Sequence, residues 1–99
     1  MILLKASLQI DPPTRATFLA HLADFVAISQ AEDGCLGFHA CEDVLTPNRF
    51  LILEEWDNRA ALEKHETSAH VAAFKAQIAA FITDKLPSIV YSISESQPL

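Results

Sequence analysis

Two hydrophobic periods alternate along this chain, and their order limits the fold more than any other feature. A period of two marks a strand with one apolar face, and a period near 3.6 marks an amphipathic helix. Ile2, Leu4, Ala6, Leu8 and Ile10 alternate with Leu3, Lys5, Ser7 and Gln9, which predicts a first strand. Asp11-Pro12-Pro13-Thr14 ends it. Asp11 suits a helix cap and proline suits a first helical turn. Phe18, Leu22, Phe25, Val26 and Ser29 then recur at helical spacing, predicting a helix to about Ala31 that Asp33-Gly34 breaks.

From Cys35 to about Val44 the chain reads as a second strand, with Leu36, Phe38 and Ala40 on one face and Cys35, Gly37, His39 and Cys41 on the other. Thr46-Pro47-Asn48 is a turn, and Phe50 to Trp56 is a third strand, antiparallel to the second. Phe50, Ile52, Glu54 and Trp56 share a face, with Leu51, Leu53 and Glu55 behind them, so both faces should be covered. Asp57 suits a cap for a short helix over 58–65. Thr67 or Ser68 restarts a second helical segment, with His70, Val71, Phe74, Ile78, Phe81 and Ile82 on its inner side, and Pro87 ends that run. Ile89, Tyr91 and Ile93 alternate with Val90, Ser92 and Ser94 as a last strand. The order β-α-β-β-α-β defines an α+β, ferredoxin-like fold: an antiparallel sheet with helices on one face.

Ninety-nine residues suit one domain spanning 1–99, with no repeat, linker or low-complexity segment. The hydrophobic fraction of 51% is high for so short a chain, which suggests apolar surface shared with a partner subunit. The net charge is −6, and the seven Lys and Arg residues form no cluster. Nucleic acid and anionic membrane surfaces are therefore disfavoured as partners. No apolar run approaches the roughly 18 residues of a membrane span. Met1 leads straight into Ile2-Leu3-Leu4 without a basic region or cleavage site, so no signal peptide is expected. Cys35 and Cys41 lie roughly 20 Å apart along one strand, too far for a disulfide. Two unpaired thiols suit the cytoplasm.

The chemistry concentrates in one corner. Glu54-Glu55-Trp56 closes the third strand, and Leu62, His65, Ser68, His70 and Phe74 follow on the helical segments. Trp56 is the single tryptophan. His70 lies one turn before Phe74, so it should look inward, and His65 follows Leu62 by three residues. Each histidine could serve as a base near neutral pH or simply hydrogen-bond a helix end. Trp56 could line a pocket or be plain core. Glu54 shares the Trp56 face. Buried there it needs a partner, either an imidazole or a cation such as Arg59 or Lys64. His39 and Cys41 share a face without a third ligand, whereas catalytic zinc takes three. His65 and His70 do not form the i, i+4 pair of a helical zinc site. No metal site is expected, and no Gly-rich dinucleotide loop follows the first strand. His21 is expected on the solvent side of the first helix.

The segments EDGCLGF (32–38), ILEEW (52–56), LEKH (62–65) and SAHVAAF (68–74) together resemble the antibiotic biosynthesis monooxygenase domain family, in particular its quinol-monooxygenase-like branch. The resemblance implies a homodimeric α/β barrel in which two sheets meet face to face. It also implies a pocket between sheet and helices in each subunit. Family members oxidise quinols or polyketide phenols with O2 and no cofactor. Relatives degrade haem or isomerise a phosphorylated sugar, so the fold alone does not give the reaction. Matched residue by residue, the resemblance places Trp56 at the strand-3 tryptophan and His65 and His70 at the pocket histidines. Near the asparagine of the haem-degrading branch stands Ser7, which has no amide to donate, and this argues against haem. The expectation is a cofactor-independent monooxygenase acting on a small quinol-like or phenolic aromatic with O2. His65 or His70 is the base, and Trp56, Phe74, Ser7 and Glu54 contact the substrate. The alternatives are an isomerase of a small carbonyl compound and a non-catalytic, ligand-binding or stress-associated barrel protein.

Overall fold

A computed structural model describes residues 1–99. Its strands and helices run β1 (Ile2–Ile10), α1 (Arg15–Gln30), β2 (Cys35–Glu42), β3 (Arg49–Trp56), α2 (Arg59–Glu66), α3 (Ala69–Ile78), β4 (Ile82–Lys85) and β5 (Ile89–Ser92). The sheet order is β2-β3-β1, with β4 and β5 both pairing on the remaining edge of β1. All pairings are antiparallel. This is the ferredoxin-like α+β arrangement that the two periods predict.

Alternation along β1 and β3 selects the face that receives the helices. Ile2, Leu4, Leu8 and Ile10 of β1 are buried, as are Phe50, Ile52, Glu54 and Trp56 of β3. They pair in register, Leu4 opposite Glu54 and Ile2 opposite Trp56. Phe18, Leu22 and Phe25 of α1 and Val71, Phe74 and Ile78 of α3 close on that face. The other face carries Leu3, Leu51 and Leu53, each only half-buried in the single chain.

The structure corrects the sequence reading in three places. The second helical run stops at Ile78, and a 3-10 turn over Ala79–Phe81 leads into β4. Ile82 pairs with Ile10, and the Asp11 amide donates to the Phe81 carbonyl at 2.8 Å. The apolar pattern of Phe81 and Ile82 suits helix and strand alike, and the free edge of β1 decides it. In β2, the register slips between Cys35 and Gly37, so Leu36 leaves the Phe38 face and is 57% exposed while Phe38 is fully buried. The slip is a bulge: one extra residue in β2 reverses the faces on either side. Finally, the cap of α2 is Asn58, whose Oδ1 accepts from the Ala61 amide at 2.9 Å, and not Asp57. The two cysteines are unpaired, and burial pushes the Cys35 thiol pKa up, away from reactive thiolate.

Candidate active site

Between the helix-facing side of the sheet and α3 lies a pocket of about 680 Å³. Its floor is Leu4, Ala6 and Leu8 of β1 with Ile52 of β3, and its roof is Val71, Phe74 and Ile78 of α3. The walls are mainly apolar. Glu54, His65 and Glu66 lie on the wall, and donor atoms of all three fall within 4.8 Å of one another. Lys85, Ser88 and Val90 lie along the β4–β5 edge. The strand pairing separates these groups. Glu54 stands opposite Leu4 and Lys85 opposite Leu8, which puts the two along β1 roughly 13 Å apart.

The titratable end is a connected array. The Trp56 indole Nε1–H donates to Glu54 Oε1 at 3.0 Å. The same carboxylate oxygen is 3.5 Å from His65 Nε2. On the other side of the ring, His65 Nδ1 hydrogen-bonds Glu32 Oε1 at 3.0 Å. That oxygen is also 2.7 Å from His70 Nε2, which in turn is 3.2 Å from the hydroxyl of Ser29. The Ser68 hydroxyl donates to the His65 carbonyl at 2.6 Å and anchors the break between α2 and α3. No buried side-chain nitrogen or oxygen lacks a partner.

Burial dominates the electrostatics of Glu54. Loss of water raises its carboxyl pKa. The Trp56 hydrogen bond pulls it down, the nearby Glu66 and Glu32 charges push it up, and Lys75 pulls it down. Desolvation wins, and the pKa rises to about 7. Glu54 is therefore poised to exchange a proton near neutral pH. Its position beside a histidine at the end of an apolar pocket is a typical setting for acid–base chemistry.

The structure sorts the expected site residues. Glu54, His65 and Phe74 line the pocket. Trp56 is fully buried and does not line the pocket. It sits behind Glu54 and His65, donating to the Glu54 carboxylate and packing against the His65 ring at 4.8 Å between centroids. His70 lines a separate, smaller cavity of about 190 Å³ with His21, Asp24 and Gln77. Phe25 and Phe74 stack at 4.0 Å between ring centroids and border both cavities. Ser7 does not line the pocket. Strand alternation turns it to the opposite face from Ala6, which is the residue that faces the pocket there. His21 is half-buried against Phe81 and not on the solvent side.

Glu32 and Ser29 were missed as site residues. The signal for Ser29 was a hydroxyl on the apolar stripe of α1. For Glu32 it was the carboxylate in EDGCLGF, whose side chain the Gly34 turn keeps near α2. Gly34 has φ 81°, and its Cα hydrogens leave room for Ala61 of α2. Glu32, His65 and His70 also bring donor atoms within 4.8 Å of one another. Two imidazoles and a carboxylate are a donor set that some transition metals take. Here, however, these groups already serve as one another's partners, and we assign no metal to them.

A ferredoxin-like sheet with an apolar pocket and a carboxylate–imidazole pair at one end defines a domain built to hold a small organic molecule. Residues 1–77 match the sequence model of the antibiotic biosynthesis monooxygenase family, and the chain belongs to that family. A Bacillus subtilis relative named "Putative monooxygenase YcnE" is 32% identical over 95 residues, covering 96% of this chain and 100% of the relative. A crystal structure described as a putative antibiotic biosynthesis monooxygenase from Deinococcus radiodurans superposes with a TM-score of 0.93 at 26% identity, covering 100% of this chain and 98% of the other. Rv0793 from Mycobacterium tuberculosis shares the fold with a TM-score of 0.88 at 23% identity, over 98% of both chains. No helix is long and apolar enough to cross a membrane.

Proposed function

We propose that the chain is a cofactor-independent monooxygenase that oxidises a small quinol-like or phenolic aromatic with O2, with His65 as the base. The observation that carries this reading is the pocket itself: apolar walls sized for an aromatic ring system, and a Glu54–His65 pair at one end. Ground-state O2 reacts slowly with paired-electron molecules, and most enzymes recruit a redox cofactor for it. A deprotonated quinol is itself a good electron donor, so the protein need supply only a base, orientation and a dry site.

The balance closes without an outside reductant. His65 Nε2 takes a hydroxyl proton, and the resulting anion and O2 form a carbon–oxygen bond as a ring peroxide. The O–O bond and the adjacent ring C–H bond then break. The carbon keeps one oxygen as a carbonyl, and the other leaves with the ring hydrogen as hydroxide. Hydroxide recovers the proton from His65 and departs as water, so hydroquinone and O2 give hydroxyquinone and water. Phe74 would hold the ring, Glu54 would hold or return protons beside His65, and Trp56 would fix Glu54. His70 would act through Glu32.

The homodimer belongs to the same proposal. Tyr91 pairs with Leu3 and Ile89 with Lys5 on the open face of the sheet, and Tyr91 and Ile89 are 40% and 43% exposed. A second copy of this face would cover them. The two free thiols support a cytoplasmic setting. The test is oxygen uptake with a panel of hydroquinones and phenols. The wild type should consume O2 with at least one, and His65→Gln should lower kcat by about 10²–10⁴-fold. Ligand-dependent thermal stabilisation without uptake across the panel would favour an isomerase or a binding protein.

A further inference from the structure

Glu32 lies outside the pocket, yet it touches both histidines. It comes from the turn between α1 and β2, and its side chain is 20% exposed. One oxygen, Oε1, sits 3.0 Å from His65 Nδ1 and 2.7 Å from His70 Nε2. A histidine carries its proton on whichever ring nitrogen has the better acceptor, and that choice leaves the lone pair on the other. A carboxylate facing Nδ1 is such an acceptor. The opposite tautomer would turn a lone pair toward the nearer carboxylate oxygen, at 3.0 Å against 3.5 Å for Glu54 Oε1 at Nε2, and lose the shorter hydrogen bond.

We propose that Glu32 is the positioning residue of this site: it holds the His65 proton on Nδ1, so that the Nε2 lone pair faces Glu54 and the pocket. His70 steadies the carboxylate from behind, and the hydroxyl of the fully buried Ser29 holds His70 in turn. The titratable groups that face His65 are Glu32 from the turn, Glu54 from β3, His70 from α3 and Glu66 from its own helix. Of these only Glu32 hydrogen-bonds Nδ1. His70 faces Glu32 and Ser29, and on its cavity side His21 and Asp24. The inference gives the proposed base its working tautomer and so rests on the reading of His65 as base. The tautomer is measurable without any substrate.

The experiment is a long-range proton–nitrogen NMR spectrum of the folded, histidine-labelled protein near neutral pH. His65 should show a protonated Nδ1 and a lone-pair Nε2. In the isosteric variant Glu32→Gln, the Nε2-protonated form should appear, and kcat on any substrate found by oxygen uptake should fall by at least about tenfold. KM should stay within about twofold, because Glu32 does not line the pocket. A role confined to stability would move the melting temperature and leave the tautomer unchanged. Three results overturn the proposal: wild-type His65 protonated at Nε2 or at both nitrogens, an unchanged spectrum in folded Glu32→Gln, or a stoichiometric metal bound through Nδ1. If Glu32→Gln does not fold, the wild-type spectrum decides alone. If no substrate is turned over, the functional reading fails and the tautomer assignment still stands or falls on that spectrum.

Discussion

Replacing Glu54 by glutamine should make the protein more resistant to unfolding as the pH rises. Burial moves the carboxyl pKa from 4.5 to about 7 in the folded state. At 1.36 kcal/mol per pH unit, that difference is about 3 kcal/mol. The folded pKa is raised above the unfolded value, so the favourable contribution of the protonated group is fully present below pH 4.5. It is lost as the pH climbs through 7, because the folded state resists giving up the proton that the unfolded state has already lost. Glutamine keeps the size and an acceptor for the Trp56 indole but cannot ionise. Urea unfolding of wild type and Glu54→Gln at pH 5, 6, 7 and 8 should therefore give stability differences that drift in favour of the variant. The drift should approach about 1.4 kcal/mol per pH unit between the two pKa values and flatten above them. Taking the difference between the two proteins cancels every group they share. Parallel stability curves would refute the argument, because they would mean that Glu54 titrates alike folded and unfolded.

Gly34→Ala should destabilise by more than about 1 kcal/mol in the same urea assay, since φ is 81° and the new Cβ would lie 2.6 Å from that of Ala61. At the other end of the sheet, Arg15 holds the Glu42 carboxyl down at about 2 through a two-pronged ion pair. That contribution is present above pH 4.5 and is lost as the pH falls through 2. Glu42→Gln should therefore lower stability at neutral pH and flatten the acid limb of the stability profile. Light scattering at micromolar protein should give about twice the chain mass, and a monomer there would remove the barrel from the account.

The main elements were legible because β1, α1 and β3 each keep one clean period. Ile2 to Ile10 reads as a strand in any context, and its unbroken apolar face fixes which side meets the helices. The stretch after Ile78 was not legible, because Phe81 and Ile82 fit either period. Only the open edge of β1, distant in sequence, turns the chain out of the helix and makes Ile82–Lys85 a strand. The exposure of Leu36 was equally hidden, since a bulge reverses faces without leaving a mark in the alternation. At the site, the Glu54, His65 and Phe74 positions followed from helix and strand phase. Ser7 does not line the pocket because one residue along a strand changes the face, and Ala6 takes that place. In the sequence Glu32 reads only as part of a helix end. Its importance comes from a turn that carries it to two histidines on other elements, a relation that spacing along the chain cannot express.

The central claim is that the pocket puts one atom of O2 into its substrate. Turnover of a hydroquinone under isotopically heavy O2, read by mass spectrometry, tests it directly. The account predicts a hydroxyquinone carrying one heavy oxygen, with the second in water and no hydrogen peroxide. Unlabelled quinone with hydrogen peroxide, or an isomerised product formed without O2, would contradict it.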